Sequence, residues 1–408
     1  MTPSSLERKC PDLITAFKEY STPFNAGSAF IETGALWMVS TAATRQVGTR
    51  LRGQLTTPNL YFMLVSGPGA GKSQTVKAVK SVLLPATGFS FVPQSVTRAG
   101  LQDYMQENLK TRRGPDGTLL PSNECIALSD EIQGILPEHD IGHLTFYNEL
   151  YDTLSTYSAV TRSNGTVRLE SPYCSIITGV QPAFLALTIP EHAWGMGFMS
   201  RTIMIFGQPG ERTSAFDHED VNHKLKADII SDLKQIRTLY GYFKWEKQAR
   251  QLYEEWWVRK GGPPIPQNKR LAMGYNARRD LHFFKLAMTF SLSRSNDLLV
   301  TVGDAGRAVE YLVRSEDRMR HIFNEMASTG AVAAYGDVID AVRIRSADGG
   351  AMPEADLIHM LMDRFQPTQI HALIDNLLQS QVLALRANSI VGVGLRSFVP
   401  GSKMGSIL

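Results

Sequence analysis

The chain has 408 residues, room for two or three domains at the usual ~100–200 residues each. A hydrophobic fraction of 43% with 20% charged residues supports a packed core, and a net charge of only +3 means that any nucleic-acid role must rest on local basic patches. Cys10, Cys125 and Cys174 are too few and too far apart for a disulfide framework or a cysteine metal site, so a reducing, cytoplasmic setting is expected, and neither a membrane span of ~18 apolar residues nor a signal-peptide layout in "MTPSSLERKCPDL" is found.

In chain order, residues 1–58 read as helical, with Leu6, Leu13, Ile14 and Phe17 at helical spacing and a second apolar helix over Ala26–Ala43. "GQLTTPN", Gly53 to Asn59, reads as a polar link. Residues 59–210 alternate five short apolar runs with helical stretches: Tyr61–Val65, Phe89–Val92, Cys125–Leu128, Cys174–Thr178 and Thr202–Phe206. That alternation predicts an α/β domain, a five-stranded parallel sheet with helices on both faces. Thr111–Asn123 has the glycine and proline of an exposed loop, Leu144–Leu154 reads as a helix, and Asn164-Gly165 in "VTRSNGTVRLE" predicts a β-hairpin. Residues 211–329 turn helical: Glu219–Leu239, Lys247–Arg259, the breaker "KGGPPIPQNKR", then Asn276–Ser293 and Val302 to about Ala327. Tyr253, Trp256 and Trp257 share one of these helices; the spacing suits core packing better than a base-stacking platform. Residues 330–408 read as helix, turn, helix and hairpin (Glu354–Phe365, Pro367–Gln379, then strands about Asn388-Ser389), the layout of a winged helix.

"SGPGAGKSQ" after the first strand carries the chemistry. Gly67, Pro68, Gly69, Ala70 and Gly71 form a loop whose backbone N–H groups can wrap phosphate oxygens at a helix N-terminus. Lys72 would reach the β- and γ-phosphates, and Ser73 would ligate Mg²⁺. "CIALSDEI" supplies Asp130 for the Mg²⁺ water shell and Glu131 to polarise an attacking water, which points to ATP hydrolysis. At the end of "SIITGVQP", Thr178 or Gln181 would orient that water. Arg201, directly before the fifth run, is either a surface or salt-bridge arginine or a finger acting on a neighbour's nucleotide.

The order of these motifs resembles the AAA+ ATPases, and within them the minichromosome-maintenance replicative helicases and their phage and mobile-element relatives. "GAGKSQ" is similar to that family's loop and brings Gln74 into the site; "VQP" stands at its sensor-1 position, which makes Gln181 the implied sensor; "MSRTIMIF" resembles its Ser-Arg-Phe-Asp motif, which implies that Arg201 acts in trans. "NARRDLHFFKLAM" resembles its first lid helix, whose sensor-2 arginine is matched by Arg278 or Arg279, with Arg279 the better fit. The chain departs from the pattern at Ser66, in place of the first loop glycine, and at Thr202 and Ile203, in place of Phe-Asp. It has a helical segment where that family has a large DNA-binding domain.

The resemblance implies a hexameric ring that drives single-stranded or forked DNA past a pore hairpin, here Arg162, Ser163, Asn164 and Arg168, in phage or mobile-element replication. It also implies a primase or initiator as partner, in the host cytoplasm if the chain is phage-encoded. Arg386 and Arg396 could contact duplex DNA from the winged helix, which could equally bind protein. The alternative is an ATP-switched assembly factor, a helicase loader or transposition regulator, that unwinds nothing.

Overall fold

Five consecutive buried residues, Tyr61–Val65 (β3), form an inner strand of a sheet covered on both faces, and the apolar run has no polar alternation for that reason. The computed structural model describes residues 7–137, 140–152, 155–161, 165–182, 184–185, 189, 194, 197–210, 222–259, 274–347, 349–362, 365, 367–379, 381–386 and 396–402. The chain is mixed α/β and divides into two compact units, residues 1–323 and 324–408.

In the first unit, Leu109–Arg113 (β4), Leu119–Ser129 (β5), Tyr173–Val180 (β8), β3 and Thr202–Phe206 (β9) make one five-stranded sheet in the order β4-β5-β8-β3-β9. The last four are parallel: Ser129 pairs with Thr178, Val65 with Val180 and with Phe206. Successive residues of β3 serve opposite faces, as a strand requires. The Tyr61 hydroxyl donates to Tyr147 O of the helix Ile141–Tyr151, whereas the Phe62 ring meets Tyr311 edge-on at 6.2 Å. On the Tyr311 side, Ser28–Ala43 and Lys72–Thr87 cover the sheet.

The expected all-parallel sheet is corrected at its edge. Phe89–Val92 forms no strand; Val92 N–H donates to Ile126 O at 2.9 Å, but the ladder goes no further. Gly88 ends the preceding helix in a left-handed conformation directly before this run. The edge is taken by β4, antiparallel, because the turn closed by Gly114 N–H on Thr118 O folds 109–129 into a hairpin. Thr111–Asn123 is therefore mostly strand, not exposed loop. Lys110, Arg112 and Arg113 on this edge discourage further strand addition.

Gly53–Asn59 is also not a plain link. Val47–Leu51 (β1) and Gln54–Thr56 (β2) form a hairpin through Arg52 and Gly53, both at positive φ. Thr156–Thr161 (β6) and Gly165–Glu170 (β7) pair as the expected hairpin. Its tip residues Arg162, Ser163 and Asn164 lie outside the described residues, as do the breaker 260–270 and the turn 388–389.

The helix from Val302 runs on to Ala347, past the expected end near 327. Gly330 and Gly336 each cost it about 1 kcal/mol. Ala334, Val338 and Val342, fully buried in the core of the second unit, offset that cost. The helices Glu354–Leu361 and Pro367–Gln379 complete this core with a three-stranded sheet of Met352–Pro353, Ser397–Pro400 and Leu383–Leu385.

Candidate functional site

The loop 66–71 leaves β3 at the carboxyl edge of the sheet and enters the helix Lys72–Thr87 through Gly71. Gly69 and Gly71 both have positive φ, and a Cβ on Gly71 would lie 2.4 Å from Ala26 Cα, so the loop geometry requires glycine there. Ser66 has no positive φ, so replacing the first glycine carries no backbone cost. Its hydroxyl donates to Gly67 O and accepts from Lys72 Nζ at 3.1 Å. Lys72 Nζ also donates to Ser66 O (2.7 Å) and Gly67 O (2.9 Å), which lays the ammonium across the loop. No side chain caps the helix at Gly71, so its first N–H groups and its dipole face the loop.

Asp130 and Glu131 follow β5, one strand beyond β8. The closeness of approach is set by Gly179 on β8, a residue the motif reading passed over. A Cβ there would fall 2.3 Å from Asp130 O and 3.3 Å from Lys72 Cβ. Glycine at this position lets the acidic turn and the 66–71 loop meet over one strand. "TGV" in an otherwise bulky strand was the available signal. Burial raises the Glu131 pKa above its ordinary value, the Lys72 ammonium opposes the shift, and Asp130 adds to it. The turn is held by Ser129, whose hydroxyl donates to Glu131 O at 2.7 Å. Gln181 leaves β8 at the same edge, half-buried, and its carbonyl accepts from Leu185 N–H. Thr178 is buried within the sheet, which leaves Gln181 the better placed of the two.

A cavity of about 510 Å³ adjoins the loop, walled by Ala26–Ala29, Phe206, Gln208–Gly210, Arg318 and His321. Gly27 N–H donates to Ala70 O, joining its wall to the 66–71 loop, and the Phe206 and His321 rings stack at 5.1 Å. The chemistry of the donor set suits Mg²⁺: one hydroxyl (Ser73) and one carboxylate (Asp130) beside the glycine loop, the sparse protein ligation this ion accepts. Among the described residues no group of three or more His, Cys, Asp or Glu could hold a metal without such a ligand.

The two predicted arginines stand elsewhere. Arg201 precedes β9, whose first residue pairs with the first residue of β3, so it lies at the amino edge of the sheet, opposite the 66–71 loop. Its side chain is 8% exposed, donates to Asp152 Oδ2 at 2.6 Å and to Gly197 O at 3.1 Å, and lies over the Tyr151 ring. Arg279 requires a correction. It is 1% exposed, forks onto the buried Glu316 carboxylate and lies against Trp256, so it holds the fold together and cannot touch a nucleotide. Arg278 is the partly open one, donating to Asp152 Oδ1 at 3.3 Å. The spacing could not separate adjacent arginines; only the packing of Phe283 and Trp256 shows which one turns inward.

The hairpin is less free than its sequence implies. Val167 and Leu169 are fully buried, and Arg168 is exposed but paired with Glu170 at 2.6 Å. Val160, near the tip, is 82% exposed. Tyr253 and Trp256 pack on Phe283, and Trp257 lies against Trp256; all three are half-buried, at the margin of the core and not inside it. In the second unit Arg396 forks onto Glu354 and reaches Asp375, and Arg386 donates to Gly349 O.

No protein-family model matches the chain, and no curated protein matches it. No helix among the described residues is long and apolar enough to cross a membrane.

Proposed function

We propose that residues 59–210 are a phosphate-loop ATPase core of the AAA+ type, with a helical lid (211–329) and a winged helix (330–408), and that the chain works as a hexameric ring on DNA. The observation that carries the ATPase reading is the meeting of the Lys72 loop, the Asp130-Glu131 turn and Gln181 at the carboxyl ends of three neighbouring parallel strands. Ligands of open α/β sheets bind at that edge, where connections leave to opposite sides.

In this reading the loop N–H groups and Lys72 hold the triphosphate, and Ser73 and Asp130 would hold Mg²⁺, which supplies charge neutralisation when bound. Glu131 polarises the attacking water; its raised pKa brings it nearer the operating pH of a general base. Gln181 orients that water. The cavity beside Ala70 is of nucleoside size and is the place for the base.

The ring reading is supported by Arg201 and Arg278. A five-residue strand, roughly 15 Å at ~3.3 Å per residue, separates them from the loop of their own chain, so in this reading the nucleotide they serve is held by another copy. The DNA reading rests on the family resemblance and on the exposed Val160 and Arg168 of the hairpin. A second reading, the ATP-switched assembly factor, is favoured by the Arg168–Glu170 pair and by the charge of residues 324–408, which hold eight Asp and Glu against six Lys and Arg. The described outer face of Pro367–Gln379 offers His371, Asp375, Asn376 and Gln379 but no lysine or arginine. One experiment separates the readings: ATPase rate with and without single-stranded DNA, coupled to unwinding of a forked duplex. DNA-stimulated hydrolysis with strand separation is expected of the motor; hydrolysis with no unwinding at any protein concentration leaves the assembly factor.

A further inference from the structure

A cavity of about 850 Å³ lies at the amino edge of the sheet, between the β1–β2 hairpin and the helix Arg279–Arg294. Its wall carries Arg50, Arg52, Arg278 and Lys285 against Asp152 and Asp280, with Arg201 directly behind Asp152. The cations are not equally engaged. Arg52 pairs with Asp280 at 3.0 Å, and Arg50 donates to the Tyr242 hydroxyl. Lys285 is sealed, donating to Thr57 O and Asn59 Oδ1. Arg201 and Arg278 share the single carboxylate of Asp152, which is 41% exposed, and Arg201 Nε has no partner among the described residues. A Cβ on Gly197 would lie 2.2 Å from an Arg201 terminal nitrogen, so the guanidinium packs closely on that backbone, behind Tyr151 and Asp152 of the cleft wall.

We propose that this cleft is an anion site for the phosphate oxygens of a polyphosphate, and that Asp152 occupies it as an internal substitute until such a ligand displaces the carboxylate. Two guanidiniums fork most strongly onto phosphate, and one carboxylate satisfies neither fully. Identifying the source as a nucleotide on a second copy rests on the function proposed above; the site itself does not. Asp152 is thus a positioning residue that keeps Arg201 and Arg278 paired in the unassembled chain.

The test uses full-length Lys72→Ala protein, in which the phosphate loop is disabled, and inorganic tripolyphosphate followed by calorimetry. Adding Asp152→Asn should tighten binding about tenfold or more, and adding Arg278→Ala to that variant should abolish the gain. Asp152→Ser serves if the asparagine variant does not fold. No gain in either variant overturns the proposal, because a merely structural Asp152 would lower the melting temperature and create no affinity. If Lys72→Ala leaves ATP binding intact, the loop reading fails separately. The source is read by sedimentation of Asp152→Asn with Lys72 restored. ATP-dependent self-association at lower protein concentration than wild type assigns the anion to a second copy, and unchanged association assigns it to free polyphosphate.

Discussion

The two edges of the central sheet each hold a buried lysine, and the two lysines are used differently. At the carboxyl edge Lys72 is fastened by a loop of small residues, three acceptors within 3.1 Å, on a helix N-terminus with no side-chain cap. At the amino edge Lys285 is fully enclosed, with its ammonium 4.3 Å from the Tyr151 ring centroid and two oxygens as acceptors. Burial lowers its pKa to about 7, with Asp152 opposing that shift and Arg278 and Arg201 reinforcing it. His282 beside it is held down to about 3 for the same reason. An accessible glycine loop leaves a charge free to change partners, whereas packed aromatics commit it to the fold.

The sharpest break between the edges is functional. Lys72→Ala and Arg201→Ala should each lower ATP hydrolysis by about 10³-fold or more, and mixing the two proteins should restore part of the rate, because one supplies an intact loop and the other an intact arginine. Full activity of Arg201→Ala as a dilute monomer would remove the amino edge from the chemistry. Glu131→Gln should retain ATP and lose about 10²–10⁴ in turnover.

The adjacent arginines divide the amino edge itself. Arg279→Ala leaves Glu316 buried without its partner and should cost about 3–5 kcal/mol in denaturant unfolding. Arg278→Ala, at a half-open pair, should cost under about 1 kcal/mol. Equal losses would mean that Arg278 is structural too.

Lys285 gives the edge a pH signature. Its folded-state pKa of about 7 lies below the ordinary 10.5, so between those values the unfolded chain binds a proton that the folded chain does not. Stability therefore rises with pH across that window, by up to about 1.4 kcal/mol per unit, and levels off below it. Lys285→Met should flatten this rise; parallel unfolding curves for variant and wild type between pH 7 and 10 would contradict the assignment.

The smallest effect is expected at the hairpin. Arg168→Ala removes an exposed pair and should change stability by less than about 1 kcal/mol. If the hairpin grips a phosphate backbone, the salt dependence of DNA binding should fall by about one unit of slope. No change in slope would favour the assembly factor.

The carboxyl edge was legible in the sequence because its parts are local. The glycine loop with its strand and helix spans one strand, six residues and one helix, and its glycine positions and helix start are written consecutively. Asp130-Glu131 likewise follow their strand directly. The amino edge was legible only as separate arginines. Its cleft joins Arg50, Asp152, Arg278 and Lys285, more than two hundred positions apart at the extremes, and no periodicity links them. The β1–β2 hairpin was missed because Arg52-Gly53 is a weaker turn signal than Asn164-Gly165, and β4 because charged residues on an edge strand look like loop.

The sequence by itself determined the α/β alternation, the loop that ends in Lys72 and Ser73, the acidic pair after β5 and the hairpin pairing about Gly165. These follow from neighbours in the chain: apolar period, glycine at positive φ and residues that cap or turn. The tertiary structure alone decided which arginine is buried, that Gly179 must lack a side chain for two loops to meet, and that Asp152 holds two guanidiniums at once. Those outcomes depend on which side chains are excluded from water when distant segments pack, and burial sets the cost of an unpaired charge far more than sequence position does.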